Sequence, residues 1–220
     1  MELIPAREQQ THDQPDAVVI ILHGLGASGH DFAPIIPELR LPQEYKIKFI
    51  FPHAPERPVT INGGYVMPAW FDILEMHLDR KVDTDQVIAS AELVRRFVDR
   101  EVERGISASR ILMAGFSQGG AVAYQLALSH PQPLGGLLAM STYFATSSMI
   151  QRHDANASIP IEIHHGTYDG VVPEALGQRA AKELTELGYQ VNYRKYPMDH
   201  AVCPEQIGHI SMWIQSMLSS

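Results

Sequence analysis

Gly115-Phe116-Ser117-Gln118-Gly119 is the part of this chain best suited to covalent chemistry, a serine with a glycine two residues away on either side. It lies between the apolar run Arg110-Ile111-Leu112-Met113-Ala114 and the small-residue stretch Gly120 to Ala127. The pattern predicts strand, sharp turn and helix, the context in which a serine is lifted from the backbone as a nucleophile. So tight a turn holds the serine in a strained φ/ψ region and leaves no room for bulk two residues away, so glycine fits there. The helix that follows points its first N–H groups at the reacting centre and favours negative charge there.

A serine hydroxyl is a poor nucleophile at neutral pH, so the box implies a general base held by an acid, in the chain order nucleophile, acid, histidine. After Ser117 the aspartates are Asp154, Asp169 and Asp199. Asp169 follows the apolar run Ile159 to His165 and sits in the turn Gly166-Thr167-Tyr168-Asp169-Gly170, where a strand delivers a side chain to the carboxyl end of a parallel sheet. Asp154 falls in a polar surface stretch, and Asp199 adjoins the best histidine but as its chain neighbour should point away from it. That histidine is His200, between the strand-like run Gln190 to Tyr196 and a helical segment from Pro204 to Leu218. His164 and His165 lie in their own strand, one expected in the core and one supporting the site, while His130 and His209 sit on helices as structural residues.

The same chemistry needs an oxyanion hole, from the N–H after the nucleophile and a second in the loop after an earlier strand. Gln118 supplies the first. The second is assigned to Leu25, because Ala17 to His23 reads as a buried parallel strand that opens into Gly24-Leu25-Gly26-Ala27-Ser28-Gly29. That loop also spells the dinucleotide fingerprint G-x-G-x-x-G. The next strand candidate, Tyr45 to Phe51, ends in Pro52-His53-Ala54-Pro55 with no acid for a ribose, and Pro34 and Pro37 would break a phosphate-capping helix, so the nucleotide reading fails.

These residues resemble the carboxylesterase and acyl-protein thioesterase family of α/β-hydrolases. The matching positions are His23-Gly24-Leu25-Gly26 with Ser28 to Phe32, Pro52-x-Ala54-Pro55, Ala69-Trp70-Phe71-Asp72, Gly115 to Gly120, His165-Gly166 with Asp169 and Val172-Pro173, and His200-x-Val202-Cys203. The resemblance implies Ser117, Asp169 and His200 as a triad with the Leu25 and Gln118 amides as oxyanion hole, in agreement with the reading from chain order. Asp199 departs from the family pattern, where glycine often precedes the histidine. The resemblance allows carboxylic esters, lysophospholipids and S-acylated proteins as substrates.

Alternating strands and helices predict an α/β fold with a mainly parallel sheet flanked by helices on both faces, and 220 residues at 45% hydrophobic content are expected to form one domain over residues 1–220. Helices are expected over Asp85–Arg104, by apolar spacing, and over Pro173–Leu187, stopped at Gly188. The segment Ile61–Leu78 reads as an excursion over the site, in which Met67, Trp70 and Phe71 are expected to line an acyl pocket. A net charge of −8 argues against a nucleic-acid surface. Met1 to Glu8 carries no secretion signal pattern and no stretch reaches membrane-spanning length, so a cytoplasmic enzyme without stable membrane insertion is expected. There is no H-E-x-x-H or paired-cysteine pattern, so neither metal nor other cofactor is expected. The single cysteine, Cys203, is assigned to packing at the last helix start. The expected function is that of a serine hydrolase cleaving carboxylic esters through a covalent acyl-enzyme, with an acyl-protein thioesterase or lysophospholipase acting on long acyl chains as the alternative, and a binding protein with weak chemistry or an acyltransferase behind them. The expected partner is an acyl ester substrate, with the chain a monomer or homodimer.

Overall fold

Six consecutive buried residues, Ala17–Leu22, form strand β2, and their alternation divides the core. Val18, Ile20 and Leu22 face one hydrophobic layer, and Ala17, Val19 and Ile21 face the other. The computed structural model describes residues 3–76 and 80–219. Leu78, at the end of the excursion expected from the sequence, and Met1 and Glu2 lie outside the described residues.

The central sheet runs β1-β3-β2-β8-β9-β10-β11. Its strands are β1 (Ala6–Gln10), β2, β3 (Ile47–Pro52), β8 (Ile111–Phe116), β9 (Gly136–Met140), β10 (Ile161–Gly166) and β11 (Val191–Tyr196). Only β1 is antiparallel to its neighbour; it went unpredicted because Ala6-Arg7-Glu8-Gln9-Gln10 is polar and mostly exposed, an edge strand without a hydrophobic signature. Between β3 and the long helix α3 (Thr84–Glu103) lie two small antiparallel pairs, β4 (Glu56–Val59) with β5 (Tyr65–Pro68) and β6 (Ile73–Glu75) with β7 (Lys81–Val82). Asp83 caps α3 by accepting the Gln86 amide.

Helices cover both faces of the sheet. On one side lie α3, α4 (Gln118–Ser129) and α5 (Glu174–Glu186), and on the other the short α1 (Gly29–Phe32) and α2 (Ile35–Glu38) with α6 (Pro204–Leu218). Gly188, at φ +94°, ends α5 as expected, since that backbone region suits glycine. The chain leaves β2 towards β3 on one side and later adds β8 on the other, so the order reverses at the β2–β8 pair, Leu22 opposite Gly115. A crevice opens at the carboxyl ends of strands at such a reversal. The glycine loop and the G-x-S-x-G turn therefore leave adjacent strands at the same end of the sheet.

Candidate active site

Ser117 sits on the turn between β8 and α4 at φ +54° and ψ −122°. A non-glycine residue there costs roughly 1–3 kcal/mol and persists only where its surroundings hold it. Here the Ser117 amide donates to the Met140 carbonyl at 2.8 Å, and the Thr142 hydroxyl donates to the Ser117 carbonyl at 2.6 Å. The flanking glycines are required by close approach, as expected. A Cβ at Gly119 would stand 2.5 Å from the carbonyl oxygens of Leu22 and His23, and one at Gly115 would overlap the Gly119 carbonyl.

His200, in the loop between β11 and α6, brings Nε2 to 3.0 Å from Ser117 Oγ. Its Nδ1 lies 2.7 Å from Asp169 Oδ2, in the loop after β10. A carboxylate only accepts, so Nδ1 carries the proton and Nε2 presents its lone pair to the serine hydroxyl. The ring also packs on Phe116 at 4.7 Å between centroids, which limits its swing. Asp169 is itself held, since its Oδ1 accepts the amides of Val171 at 2.9 Å and Val172 at 2.7 Å. Burial pushes the Asp169 pKa up, but the His200 hydrogen bond, the two amides and the His200 charge together hold it below the usual aspartate value. It is thus an anion at neutral pH, able to stabilise an imidazolium.

Two imidazoles outside this row position the glycine loop. His23, fully buried at the end of β2, accepts the Ala54 amide at Nε2 (3.0 Å) and donates from Nδ1 to the Gly24 carbonyl at 2.7 Å. Burial lowers its pKa, so it stays neutral and able to do both. His53 accepts the Gly29 amide at 3.0 Å. Ser28 and Asp31 close a capping box at the start of α1, Ser28 N donating to Asp31 Oδ2 at 2.6 Å. Among the described residues the Leu25 amide donates to no protein acceptor. The Gln118 amide opens α4, where a helix offers its own N–H no partner.

Met67 lies beside this loop, its sulfur 3.7 Å from where a Cβ on Gly26 would stand. Trp70 and Phe71 do not fit their expected place as pocket walls: both are fully buried in the core beneath the site. The Trp70 indole donates to the His23 carbonyl at 2.9 Å, and the backbone of both residues pairs with the Gln118 side chain. Apolar lining is found instead on the other side of His200. There Phe32, Pro34, Ile35, Val202 and Ile207 border a groove of about 420 Å³ that reaches Phe116 and His200, with Asp31 and Glu38 at its rim. Sequence reasoning missed this groove because its walls come from α1, α2, α6 and the residues beside them, which lie far apart in the sequence and meet only in the fold.

The remaining candidates fall away from the reacting atoms. Asp154 and Asp199 are exposed. His164 and His165 are both fully buried, His164 on Glu162 at 2.8 Å and His165 donating to the Val172 carbonyl, 3.7 Å from Asp169. His165 thus backs the acid, as expected for one of this pair. His209 meets the Tyr196 hydroxyl, His130 ends α4, and Cys203 is the N-cap of α6. Among the described residues no three His, Cys, Asp or Glu side chains converge as a metal site, and no helix is long and apolar enough to cross a membrane.

The reversed parallel sheet with a serine on a strand-to-helix elbow and a histidine and aspartate on later loops defines an α/β-hydrolase. The chain belongs to the phospholipase/carboxylesterase family, whose profile matches residues 6–218. It is 35% identical to acyl-protein thioesterase 1 of Gibberella zeae, over 98% of this chain and 94% of that one. The same identity holds to acyl-protein thioesterase 1 of Neurospora crassa, over 98% and 91%. Among solved structures it superposes on Arabidopsis thaliana SOBER1 with a TM-score of 0.88 at 32% identity, covering 92% of this chain and 99% of that one. Zea mays acyl-protein thioesterase 2 gives 0.86 at 28% identity, covering 98% and 99%.

Proposed function

We propose that this hydrolase cleaves acyl thioesters and esters through a Ser117–His200–Asp169 triad, and that S-acylated protein cysteines are its preferred substrates. One observation carries the reading: Ser117 Oγ, His200 Nε2, His200 Nδ1 and Asp169 Oδ2 stand in a row at 3.0 and 2.7 Å. His200 takes the Ser117 proton as the hydroxyl attacks the acyl carbonyl, and Asp169 stabilises the imidazolium. The Leu25 and Gln118 amides, both without a protein acceptor among the described residues, receive the negative charge that develops on the carbonyl oxygen. Collapse expels the thiol or alcohol, protonated by His200, and water then releases the acyl group by the same route.

The preference for thioesters and long chains is supported by the relatives, named as acyl-protein thioesterases, and by the groove beside His200. At about 420 Å³ it falls within the ~300–1,000 Å³ range of ligand pockets and offers an apolar substrate portion a dry surface. The test is kcat/KM on an S-palmitoyl peptide, its oxyester counterpart and the matching acetyl compounds, with Ser117→Ala alongside. Highest turnover of the palmitoyl thioester, lost in Ser117→Ala, is the expected result. Preference for acetyl oxyesters would make the protein a small-ester carboxylesterase. Undiminished turnover by Ser117→Ala would remove the triad reading altogether.

A further inference from the structure

We propose that the side chain of Gln118 is a positioning residue, which clamps both oxyanion donors to the backbone segment Pro68–Phe71 and so sets their separation. This rests on the triad and oxyanion-hole reading above. Gln118 is 1% exposed, and its carboxamide is fully engaged: Oε1 accepts the Trp70 amide at 2.7 Å and Nε2 donates to the Phe71 carbonyl at 2.6 Å. The carboxamide thus holds two successive residues of a bend, Trp70 through its amide and Phe71 through its carbonyl. Glutamine alone fits: glutamate lacks the donor, methionine lacks both groups, and asparagine is one methylene too short.

The same segment grips the loop that carries the other donor, on both sides of Leu25. Before it, the Trp70 indole donates to the His23 carbonyl at 2.9 Å; after it, the Gly26 amide donates to the Pro68 carbonyl at 2.8 Å. The segment is in turn anchored from outside the site. The Ala69 amide donates to the Pro55 carbonyl at 3.0 Å, the Ser90 hydroxyl of α3 donates to the Trp70 carbonyl, and the Asp72 amide donates to Gln86 Oε1 at 2.9 Å. Leu25 and Gln118 lie far apart in sequence and each stands three residues beyond the last β2–β8 pair, Leu22 opposite Gly115, so strand pairing alone does not fix the separation of their amides. Three hydrogen-bonding groups, the buried Gln118 carboxamide and Trp70 indole and the amide of the exposed Gly26, tie both to one strap.

Such a clamp acts on the transition state, because an oxyanion is stabilised only when both donors reach it together. Its effect falls on the developing oxyanion and not on ground-state binding of the acyl and leaving groups, which do not depend on the two amides for their contacts. A residue that merely filled the core would lower stability without changing how well the folded enzyme holds a tetrahedral adduct.

The experiment compares wild type, Gln118→Met and Trp70→Phe, with Ser117→Ala as control. Thermal midpoint, kcat, KM and the inhibition constant of a trifluoromethyl ketone of matched chain length are measured for each. That ketone adds Ser117 Oγ to its carbonyl carbon and leaves the oxygen as an anion in the hole. The expected result is a kcat about 10- to 100-fold lower in Gln118→Met and several-fold lower in Trp70→Phe, with KM nearly unchanged. Ketone affinity should fall by the same factor as kcat/KM. Should Gln118→Met fail to fold, Trp70→Phe decides by the same measures. Wild-type kcat and ketone affinity in the folded variants overturns the clamp, as does a rise in KM at constant kcat. Undiminished turnover by Ser117→Ala would instead overturn the triad reading itself.

Discussion

Asp169→Asn isolates the proton geometry of the site from its fold. In the wild type Oδ1 faces two amide donors, Val171 at 2.9 Å and Val172 at 2.7 Å, while Oδ2 faces His200 Nδ1 at 2.7 Å. Asparagine has one acceptor and one donor group in place of two acceptors. If its NH₂ faced Val171 and Val172, two backbone N–H groups would lose their partner inside the protein, each at a cost of ~1–3 kcal/mol. The side chain will therefore turn its oxygen to those amides and its NH₂ to His200, by roughly 2–6 kcal/mol. The imidazole then keeps Nδ1 bare and carries its proton on Nε2, pointing at Ser117 Oγ, where it cannot act as a base.

At about 1.36 kcal/mol per decade, that preference leaves between one molecule in ~30 and one in ~3 × 10⁴ with the competent tautomer. The expected kcat is lower by the same factor, roughly 30- to 3 × 10⁴-fold, at nearly constant KM. The upper part of that range includes the loss of about 10⁴ seen for the corresponding change in the serine-protease triad. The assay is p-nitrophenyl ester turnover at saturating substrate, together with the rate of Ser117 labelling by a fluorophosphonate, which needs the same base. Both should slow in parallel while the thermal midpoint barely moves, because the two amide hydrogen bonds survive. A kcat within about threefold of wild type would refute the argument, since Asp169 would then not set the tautomer.

Three further outcomes follow from the same coordinates. Burial lowers the pKa of His23, His53, His130, His164 and His165, so the folded state keeps them neutral while the unfolded chain takes up protons near pH ~6.5; stability should fall as pH drops through that value and continue falling until the depressed folded values are reached, as urea midpoints between pH 8 and 5 will show, and a flat profile would contradict it. Tyr124, fully buried in α4 against Phe144, has a hydroxyl with no partner among the described residues, so Tyr124→Phe should stabilise by about 1 kcal/mol, a rise of ~2–4 °C in Tm by calorimetry; a lower Tm would show that the hydroxyl is satisfied. Gly119→Ala places a methyl 2.5 Å from the Leu22 and His23 carbonyls, so α4 or the end of β2 must retreat, at ~1–3 kcal/mol in denaturant titration and ~100-fold in kcat; an unchanged kcat would mean that the elbow tolerates the shift.

What was legible in the sequence, and what was not, divides by the range of the interaction. Ser117, Asp169 and His200 could be found because each must end a strand on the same edge of a parallel sheet, and strands buried on both faces announce themselves as unbroken apolar runs such as Ala17–Leu22. The geometry brings these three side chains into one row; chain order narrowed the search to three aspartates and six histidines, and placement at a strand end singled out Asp169 and His200. The stretch from β4 to β7 resisted the same treatment. Its strands are two to four residues long, too short for a period to show, and β1 is too polar.

Trp70 and Phe71 mark the limit most clearly. Hydropathy says that an aromatic side chain prefers to leave water, and it is silent on whether the shelter is a substrate groove or the enzyme's own interior. Here the difference is made by partners 47 and 48 positions away in sequence, the His23 carbonyl and the Gln118 carboxamide. Those bonds convert what reads as a greasy pocket wall into the strap behind the proposed oxyanion hole. The fourth residue of the motif invites the same error: Gln118 looks like the variable x of G-x-S-x-G, chosen for nothing. Its side chain is buried and fully paired, so in this protein the motif's free position is constrained by tertiary structure as tightly as the glycine beside it.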